Sequence, residues 1–340
     1  MCVCVCVCVC VCVYVCVRAC VRVSRYNLTV LPRTNHSTSD REAESRRTRY
    51  PLTLESPYVI NSPNVCRAVW PLHVLVVVHS STTNFQRRRL IRETWASKHV
   101  MTTRNLRVLF VLGLTAKAAV QAQIEVERVV YEDLIQGAFR DSYHNLTHKG
   151  VLAYRWIHEH CPQAQLILKV DDDMFINPFL FYEVYFPRFS RQRRTIACHV
   201  RPKNTSPIER KKGKWVVTED EFRGYTFYPF PYCNGYVVIL TPEIIMALYK
   251  AAYATPFFWV DDVYLFGLLA NKVGQVTYVD IRRNMTLKLP TGLACYRQLN
   301  CTLLAVTVWQ EAAYHEIWRL ALAQLSPSMK HHINPVYFVT

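Results

Sequence analysis

Short apolar runs alternate with amphipathic stretches from position 72 onward. Three runs are rich in valine, leucine and isoleucine and predict buried strands, at 72–79, 106–112 and 166–170. Residues 116–128 and 145–160 have apolar side chains at helical spacing, and Pro162 ends the second of these predicted helices. Strands and helices that alternate in this order predict an α/β fold, with a parallel sheet covered on both faces.

The first 23 residues have a different pattern, in which cysteine and valine alternate. Residues 2–17 would span about 24 Å as a helix, slightly less than the ~30 Å hydrocarbon core of a membrane. They predict either a short signal anchor or an artefact of a wrong gene start, because a GT dinucleotide repeat translates as Val-Cys. Arg18, Arg22 and Arg25 follow this stretch, and the positive-inside rule would keep the rest of such a protein in the cytoplasm.

The remaining chain divides by composition. Residues 24–68 are polar and basic in their first half and predict a solvated stalk. Residues 69–325 contain the periodic elements and predict one globular domain, and residues 326–340 form a tail. A basic loop is predicted at 204–214.

The chain is strongly basic, with a formal net charge of +16 and a pI near 9.3. This charge favours anionic partners. No RNA-recognition signature, zinc-finger spacing or basic zipper is present, so the sequence favours no nucleic acid partner. Binding of acidic glycosaminoglycans remains open, and its candidate residues are Arg188, Arg191, Arg193 and Arg194.

Cysteines and glycosylation sequons indicate a secretory compartment. Eight of the 14 cysteines lie in the first 20 residues, and the other six allow 15 pairings. These six are Cys66, Cys161, Cys198, Cys233, Cys295 and Cys301. The sequons begin at Asn27, Asn35, Asn145, Asn204, Asn284 and Asn300. Scattered cysteines together with sequons favour an oxidising lumen.

Three consecutive aspartates end the third predicted strand, at Asp171, Asp172 and Asp173. Most acidic triplets are solvated turns or helix caps. This one lies between apolar runs, where carboxylates need a cation or hydrogen-bond donors to stay ionised. Ligands of open α/β sheets bind at this edge, and oxygen ligands favour Mg²⁺ or Mn²⁺ completed by substrate phosphates. The triplet therefore predicts a metal site.

A second acidic pair, Asp261-Asp262, follows an apolar aromatic run. On spacing alone it is more typical of a helix cap. Several aromatic residues lie between the two acidic clusters along the chain. Tyr232 and the adjacent Asn234-Gly235 are the best candidates for ligand binding, because Gly235 permits close backbone approach; Trp215, Tyr225, Tyr228 and Tyr236 are predicted to be packing residues.

Several further motifs accompany the two acidic clusters in a fixed order. They are 85–95, 108–113, Glu127 with Tyr131 and Asp133, 139–149, 169–173, 232–237 and 260–264. Together the motifs span roughly 72–274, and their order is more specific than any single motif. This ordered series resembles the β1,3-glycosyltransferase family, which includes β1,3-galactosyltransferases and β1,3-N-acetylglucosaminyltransferases.

The resemblance implies a GT-A fold, a Rossmann-like domain that binds a nucleotide sugar on a mixed, mostly parallel central sheet. The acidic triplet would be its DxD motif. Asp173 with Asp171 would bind Mn²⁺ or Mg²⁺ through the diphosphate of a UDP-sugar, and Asp171 and Asp172 would also lie toward the ribose. Arg88 and Arg92 would add positive charge near the donor, although both also fit solvated positions on an amphipathic helix.

The resemblance also implies the reaction. Asp262 would be the general base that deprotonates an acceptor hydroxyl, which attacks from the face opposite UDP and inverts the anomeric carbon. Asp261, Tyr232, Asn234 and Gly235 would bind the acceptor.

Two positions depart from the family pattern. Asn234-Gly235-Tyr236 replaces a longer glycine loop, and Trp309 replaces a histidine that is a candidate metal ligand. His315 lies nearby, but it fits a structural or solvated role better.

The predicted protein is therefore a hexosyltransferase that moves galactose or N-acetylglucosamine from its UDP-sugar to a glycan of a glycoprotein or glycolipid in β1,3 linkage. The family implies a single-pass type II protein of the Golgi membrane with a luminal catalytic domain, against the arginine asymmetry. A catalytically silent member that still binds glycans or nucleotide sugars remains the alternative.

Overall fold

The computed structural model describes residues 54–67, 69–298 and 300–325, which lie within one compact unit. A seven-stranded sheet runs through it in the order β3-β2-β1-β4-β7-β6-β8. Four of its six strand pairings are parallel, and β7 is antiparallel to both of its neighbours. The seven strands of this sheet are β1 (Val74–His79), β2 (Leu106–Leu114), β3 (Leu134–Arg140), β4 (Leu166–Asp171), β6 (Thr195–Arg201), β7 (Tyr232–Leu240) and β8 (Thr277–Asp280). Three further strands form a second sheet, and they are β5 (Met174–Ile176), β9 (Met285–Thr286) and β10 (Ala305–Thr307).

Helices cover both faces of the central sheet, and two distinct buried hydrophobic clusters lie between them and the strands. The helices are α1 (Phe85–Glu93), α2 (Lys98–Thr103), α3 (Ala118–Tyr131), α4 (Leu146–His160), α5 (the composite segment 178–189), α6 (Pro242–Tyr253), α7 (the composite segment 261–273), α8 (Leu289–Tyr296) and α9 (Glu311–Ala323). The predicted α/β class with a mixed, mostly parallel sheet is confirmed.

The register of three central strands brings their polar ends together. Every residue of β1 is buried, as expected for a strand between two covered faces. His79 at its carboxyl end pairs with Asp171 of β4. The antiparallel strand β7 enters beside the same end of β4, where Val237 pairs with Val170. Residues before Val237 therefore lie next to the acidic triplet.

A small second sheet, in the order β5-β10-β9, approaches the triplet from the other side. β10 runs antiparallel to β5, with Thr307 opposite Met174. The backbone N–H of Val308 donates to the carbonyl oxygen of Asp173 at 2.8 Å. This pairing places Trp309 beside the acidic residues, although the two segments are more than 130 positions apart.

The predicted strands and helices in the first half of the domain are confirmed, with ends shifted by a few residues. The expectation that the triplet ends the third strand is wrong, because β3 intervenes and the triplet follows the fourth. The sequence of β3, LIQGAFR, breaks the apolar run with Gln136 and Gly137. Gln136 is nevertheless fully buried, and its side-chain nitrogen donates to the carbonyl of Gly113 at 2.7 Å.

Residues 54–67, which were assigned to the stalk, contact the domain. Leu54 is buried, and Ile60 forms a bridge with Gln136. The predicted apolar segment 1–23, the first part of the stalk and the tail 326–340 lie outside the described residues. Within the described part of the chain, no helix combines the length and the apolar character needed to span a membrane.

All six cysteines outside the N-terminal repeat form disulfides, which selects one of the 15 possible pairings. Cys66 is bonded to Cys161, Cys198 to Cys233 and Cys295 to Cys301. The Cys66 bridge connects residues 54–67 to the end of α4, and the Cys198 bridge joins β6 to β7. Disulfides persist in oxidising compartments, so the pairing supports the expected secretory lumen.

Candidate active site

Asp172 anchors the acidic triplet to the rest of the domain. Its carboxylate accepts hydrogen bonds from Ser80 Oγ at 2.6 Å and from Asn84 Nδ2 at 2.8 Å, and it forms an ion pair with Arg87 at 2.9 Å. Asn84 stands at the N-cap of α1 but makes no side-chain capping bond. Its amide instead satisfies a buried carboxylate, whose desolvation costs more than an uncapped N–H.

Asp171 is held by a buried lysine. Lys169 Nζ lies 2.6 Å from Asp171 Oδ1 and donates to the carbonyl oxygen of Gly235 at 2.6 Å. Burial alone would lower the pKa of Lys169, but the charges of Asp171, Asp261 and Asp262 raise it above its ordinary value. Lys169 thus links the triplet, the β7 backbone and the second acidic pair around one fixed positive charge.

Asp173 is the member of the triplet whose carboxylate makes no side-chain hydrogen bond or ion pair with the described residues. Burial raises its pKa to about 6, and repulsion from Asp171 and Asp172 contributes to the increase. Arg87 lowers it, and the guanidinium of Arg87 also lies 4.6 Å from the ring centre of Trp309. The charged form of the Asp173 carboxylate is therefore unfavourable in this environment, and a bound cation would stabilise it.

Arg88 and Arg92 belong to a buried ion network. Arg88 is fully buried, so its predicted solvated alternative is wrong. Its guanidinium binds Glu127 at 2.7 Å and donates to Ser80 Oγ at 3.0 Å. Arg92 pairs with Glu127 and Asp133, both at 2.7 Å. Their predicted contact with the donor stays a prediction, and Arg88 reaches the triplet indirectly, through Ser80 and Ser81.

Arg92 also lines a cavity at the amino ends of β2 and β3. None of the carboxylates of the two acidic clusters lines this cavity. The cavity is therefore separate from the acidic triplet and from the Asp261-Asp262 pair.

The second acidic pair lies near the same lysine, and we call the region formed by the triplet, Lys169, Gly235 and this pair the cleft. Asp261 and Asp262 begin the composite helix α7. A Cβ atom built on Gly235 would overlap Asp262 Oδ1, so only glycine leaves space for this carboxylate. Burial raises the pKa of both aspartates; the charge of Asp261 raises that of Asp262 further, and Lys169 lowers both. The pair does not act only as a helix cap, because Asp262 lies against Gly235 of β7 and the charge of Lys169 acts on both aspartates.

The remaining predicted acceptor residues lie on β7 close to Asp262. Asn234 Nδ2 is 3.2 Å from His199 Nδ1, and the same ring nitrogen is 2.9 Å from the Tyr236 hydroxyl. Tyr232 is half-buried and packs against Tyr228, with ring centres 5.6 Å apart. The structure thus brings Tyr232, Asn234 and Gly235 to the same strand end, beside Asp261 and Asp262.

The triplet fits a divalent cation that a substrate helps to hold. Asp173 and Asp171 offer oxygen ligands, and a cation would offset the repulsion that raises the pKa of Asp173. Within 54–67, 69–298 and 300–325, no three His, Cys, Asp or Glu side chains are grouped to hold an ion by themselves. Trp309 cannot supply a ligand, and His315 lies on α9 within 3.8 Å of Glu311. Phosphate oxygens would complete the coordination.

Several residues of the cleft were not found by sequence analysis. Arg87 and Lys169 were quoted only within motifs, since an arginine or lysine next to apolar residues gives no sign of its partner. The prediction that Trp215 and Tyr225 pack in the interior is wrong, because they are 46% and 54% exposed. Tyr228 is buried, as predicted for a packing residue.

A family model described as galactosyltransferase matches residues 86–282, which include both acidic clusters and Gly235. The chain belongs to the galactosyltransferase family. Its predicted family and enzyme class, a hexosyltransferase, are thereby confirmed.

Relatives of this galactosyltransferase family member cover most of the described domain. Beta-1,3-galactosyltransferase 1 of Mus musculus and that of Homo sapiens are each 31% identical over 266 residues, or 77% of this chain and 77% of the relative. Beta-1,3-galactosyltransferase 5 of Homo sapiens is 32% identical over 200 residues, or 59% of this chain and 63% of the relative. A solved glycosyltransferase involved in glycosylation of the PBCV-1 major capsid is a distant likeness, with a TM-score of 0.37, 8% identity, and coverage of 72% of this chain and 98% of that one.

Proposed function

We propose that this family member is an inverting glycosyltransferase that moves galactose from UDP-galactose to a glycan hydroxyl in β1,3 linkage. UDP-N-acetylglucosamine is the alternative donor. One observation carries the proposal: Asp262 fits against Gly235, whose carbonyl accepts from the same Lys169 that binds Asp171. A candidate base and a candidate donor site thus share one cleft. The names of the relatives favour galactose over N-acetylglucosamine.

The acidic triplet supports the leaving-group side of the reaction. Asp173 and Asp171 would hold Mn²⁺ or Mg²⁺, and this ion supplies positive charge for the departing diphosphate when it is bound. Asp172 keeps the triplet in place through Ser80, Asn84 and Arg87. The side chains near the donor are therefore organised before substrate binds, which is the condition for electrostatic stabilisation of a transition state.

Asp262 supports the acceptor side. A general base is most effective when its pKa lies near the working pH, and burial next to Asp261 raises the pKa of Asp262 toward that range. Asp262 would accept the proton of the acceptor hydroxyl as that oxygen attacks the anomeric carbon from the side opposite UDP. Asn234 and Tyr232 would orient the sugar that carries this hydroxyl.

The proposed location is the Golgi membrane, with the catalytic domain in the lumen. Three disulfides among the described residues support an oxidising lumen. A silent family member that only binds glycans or nucleotide sugars is the second candidate, and Trp309 beside Asp173 is the observation that favours it.

Transfer assays with UDP-galactose and UDP-N-acetylglucosamine, with and without Mn²⁺, test the proposal. We expect Mn²⁺-dependent transfer that Asp173→Ala and Asp262→Asn each abolish. Asp220→Asn is the matched control, because Asp220 is an exposed aspartate paired with Arg223. UDP binding without any turnover by the wild-type chain would refute the enzyme and favour the silent member.

A further inference from the structure

Two exposed aromatic rings stand beside the acidic pair. Trp215 is 46% exposed and Tyr143 is 38% exposed, and the Trp215 indole N–H donates to the Tyr143 hydroxyl at 2.7 Å. Trp259, two residues before Asp261, lies 6.3 Å from the Tyr143 ring. Burial raises the pKa of the Tyr143 phenol to about 12, and the charges of Asp261 and Asp262 contribute to the increase. Tyr143 is therefore close to the proposed base.

The loop that carries Trp215 is held in one conformation by its own backbone. Pro207 and Phe227 form an antiparallel bridge across its base, and Val217 N–H donates to the carbonyl of Glu209 at 2.8 Å. Val217 is buried in one of the two cores, while Trp215, two residues earlier, is exposed. Large apolar side chains of an ordered loop are exposed at a cost in hydration, which points to a ligand for this surface.

Lys214 adds a positive charge to the two rings. Its ammonium lies 4.0 Å from the ring centre of Tyr143 and 5.7 Å from that of Trp215. Within the described part of the chain, Lys214 forms no ion pair. Two acidic residues of the same loop have other partners: Asp220 pairs with Arg223, and Glu221 accepts from Thr218. The charge of Lys214 is therefore available to a ligand that stacks on the rings.

We propose that Trp215 and Tyr143 form a platform for the acceptor, and that Lys214 makes the platform select acceptors with an anionic sugar, such as a uronic acid, next to the reacting one. The faces of the rings suit the apolar faces of sugars, and an ammonium beside them suits a carboxylate or sulfate. This inference rests on the proposed function, because it assumes that the reacting hydroxyl lies at Asp262.

The test compares a neutral disaccharide glycoside with its uronic acid counterpart, which differs only by a carboxylate in place of a hydroxymethyl group. We expect the wild-type chain to have the higher kcat/KM for the acidic acceptor. Lys214→Gln should reduce that preference about three- to fivefold, the range of an exposed ion pair, and raised salt should reduce it in the wild type. Lys212→Gln, an exposed lysine two positions away, should leave the preference unchanged.

Substitutions of Trp215 provide a second test of the platform that does not depend on the charge of the acceptor. Trp215→Ala should raise KM for both acceptors roughly tenfold with little change in kcat, and Trp215→Phe should restore most of the loss. Unchanged KM values in Trp215→Ala, or the same acidic preference in Lys214→Gln, would overturn the proposal. Thermal unfolding of each variant shows that the fold is retained.

Acceptor binding without donor separates this inference from the proposed function. Ligand-observed NMR with the two disaccharides needs no turnover. If no sugar is transferred but the acidic disaccharide binds better and Lys214→Gln removes that advantage, the platform stands and the enzymatic proposal fails. If transfer is normal and neither variant alters acceptor binding, the platform fails and the enzymatic proposal stands.

Discussion

The acidic triplet and the acidic pair contribute carboxylates to one cleft, but different groups surround them. Asp172 receives four donors and Asp171 is paired with a lysine, so two members of the triplet are fixed before any ligand arrives. Asp262 contacts the backbone of Gly235 and the neighbouring Asp261, and its pKa is raised. This difference agrees with our proposal that the triplet presents negative charge to a cation and that the pair accepts a proton.

Asp262→Asn removes the proposed proton acceptor and should have the largest effect. An amide fits the same space but is not a base, so kcat should fall about 10²- to 10⁴-fold while UDP binding is retained. Initial rates of transfer and calorimetry with UDP measure the two quantities. The matching change in the triplet, Asp173→Asn, should weaken UDP binding in the presence of Mn²⁺. Equal loss of UDP binding in both variants would remove the distinction between the clusters.

Gly235→Ala tests whether the position of the Asp262 carboxylate matters. The added Cβ would overlap Oδ1, so the carboxylate must move, and a displacement of about 1 Å can reduce a rate roughly 100-fold. The check is a double-mutant cycle. In the Asp262→Asn background the same alanine should reduce kcat little further, because the two changes act on one group. Independent, multiplicative losses would mean that Gly235 acts elsewhere, for example through Lys169.

Much of this site could be predicted from sequence, since acidic residues at the ends of apolar runs mark a sheet edge. The triplet was identified that way, whereas Asp262 was assigned from the family resemblance and Gly235 from the close backbone approach that glycine permits. The choice among Arg87, Arg88 and Arg92 could not be made, because it depends on which face of α1 meets β1 and α3. Strand β3 was missed because the buried Gln136 is satisfied by a backbone carbonyl from another strand, a partner that local periodicity does not reveal.

The N-terminal region of the domain shows the same limit. Residues 54–67 were assigned to the stalk because the periodic elements begin after them, yet the Cys66–Cys161 disulfide and the Ile60 bridge attach them to the body. These contacts join positions far apart in the chain. Composition describes only the local segment, so it cannot reveal them.

The raised pKa of Asp262 predicts a pH-dependent cost to stability. A carboxyl group whose pKa is higher in the folded state binds its proton more tightly there, so the free energy of unfolding falls as pH rises from about 4 through the folded pKa. Asp262→Asn removes this loss. We expect the variant to have a higher Tm than the wild type at pH 8, by a few degrees, and an equal Tm near pH 4. Differential scanning calorimetry across this range measures the difference. An advantage that is largest at acidic pH would reverse the inferred sign.

Trp309 should have the smallest effect, because it touches the triplet through Arg87 alone. Trp309→Ala removes an exposed cation–π contact of about 0.5–1 kcal/mol, so Arg87 should hold Asp172 less firmly and KM for the donor should rise about two- to fivefold. Trp70→Ala is the control, since Trp70 is a tryptophan that is 85% exposed. An equal increase in both variants would show that the effect does not come from the triplet.

Trp309→His tests the difference between the triplet and the pair by adding a candidate metal ligand beside the triplet, whereas Trp309→Ala removes a contact there. The Val308 N–H donates to the Asp173 carbonyl, so position 309 follows directly after a residue bonded to the triplet, and imidazole is a ligand that Mn²⁺ accepts. We expect transfer by this variant to reach half-saturation at a lower Mn²⁺ concentration than in the wild type, with the Asp262-dependent pH profile unchanged. Titrations of Mn²⁺ at fixed UDP-galactose measure the shift. If the histidine changed the pH profile and left the Mn²⁺ titration unaltered, the assignment of the cation to the triplet and the proton to the pair would have to be exchanged.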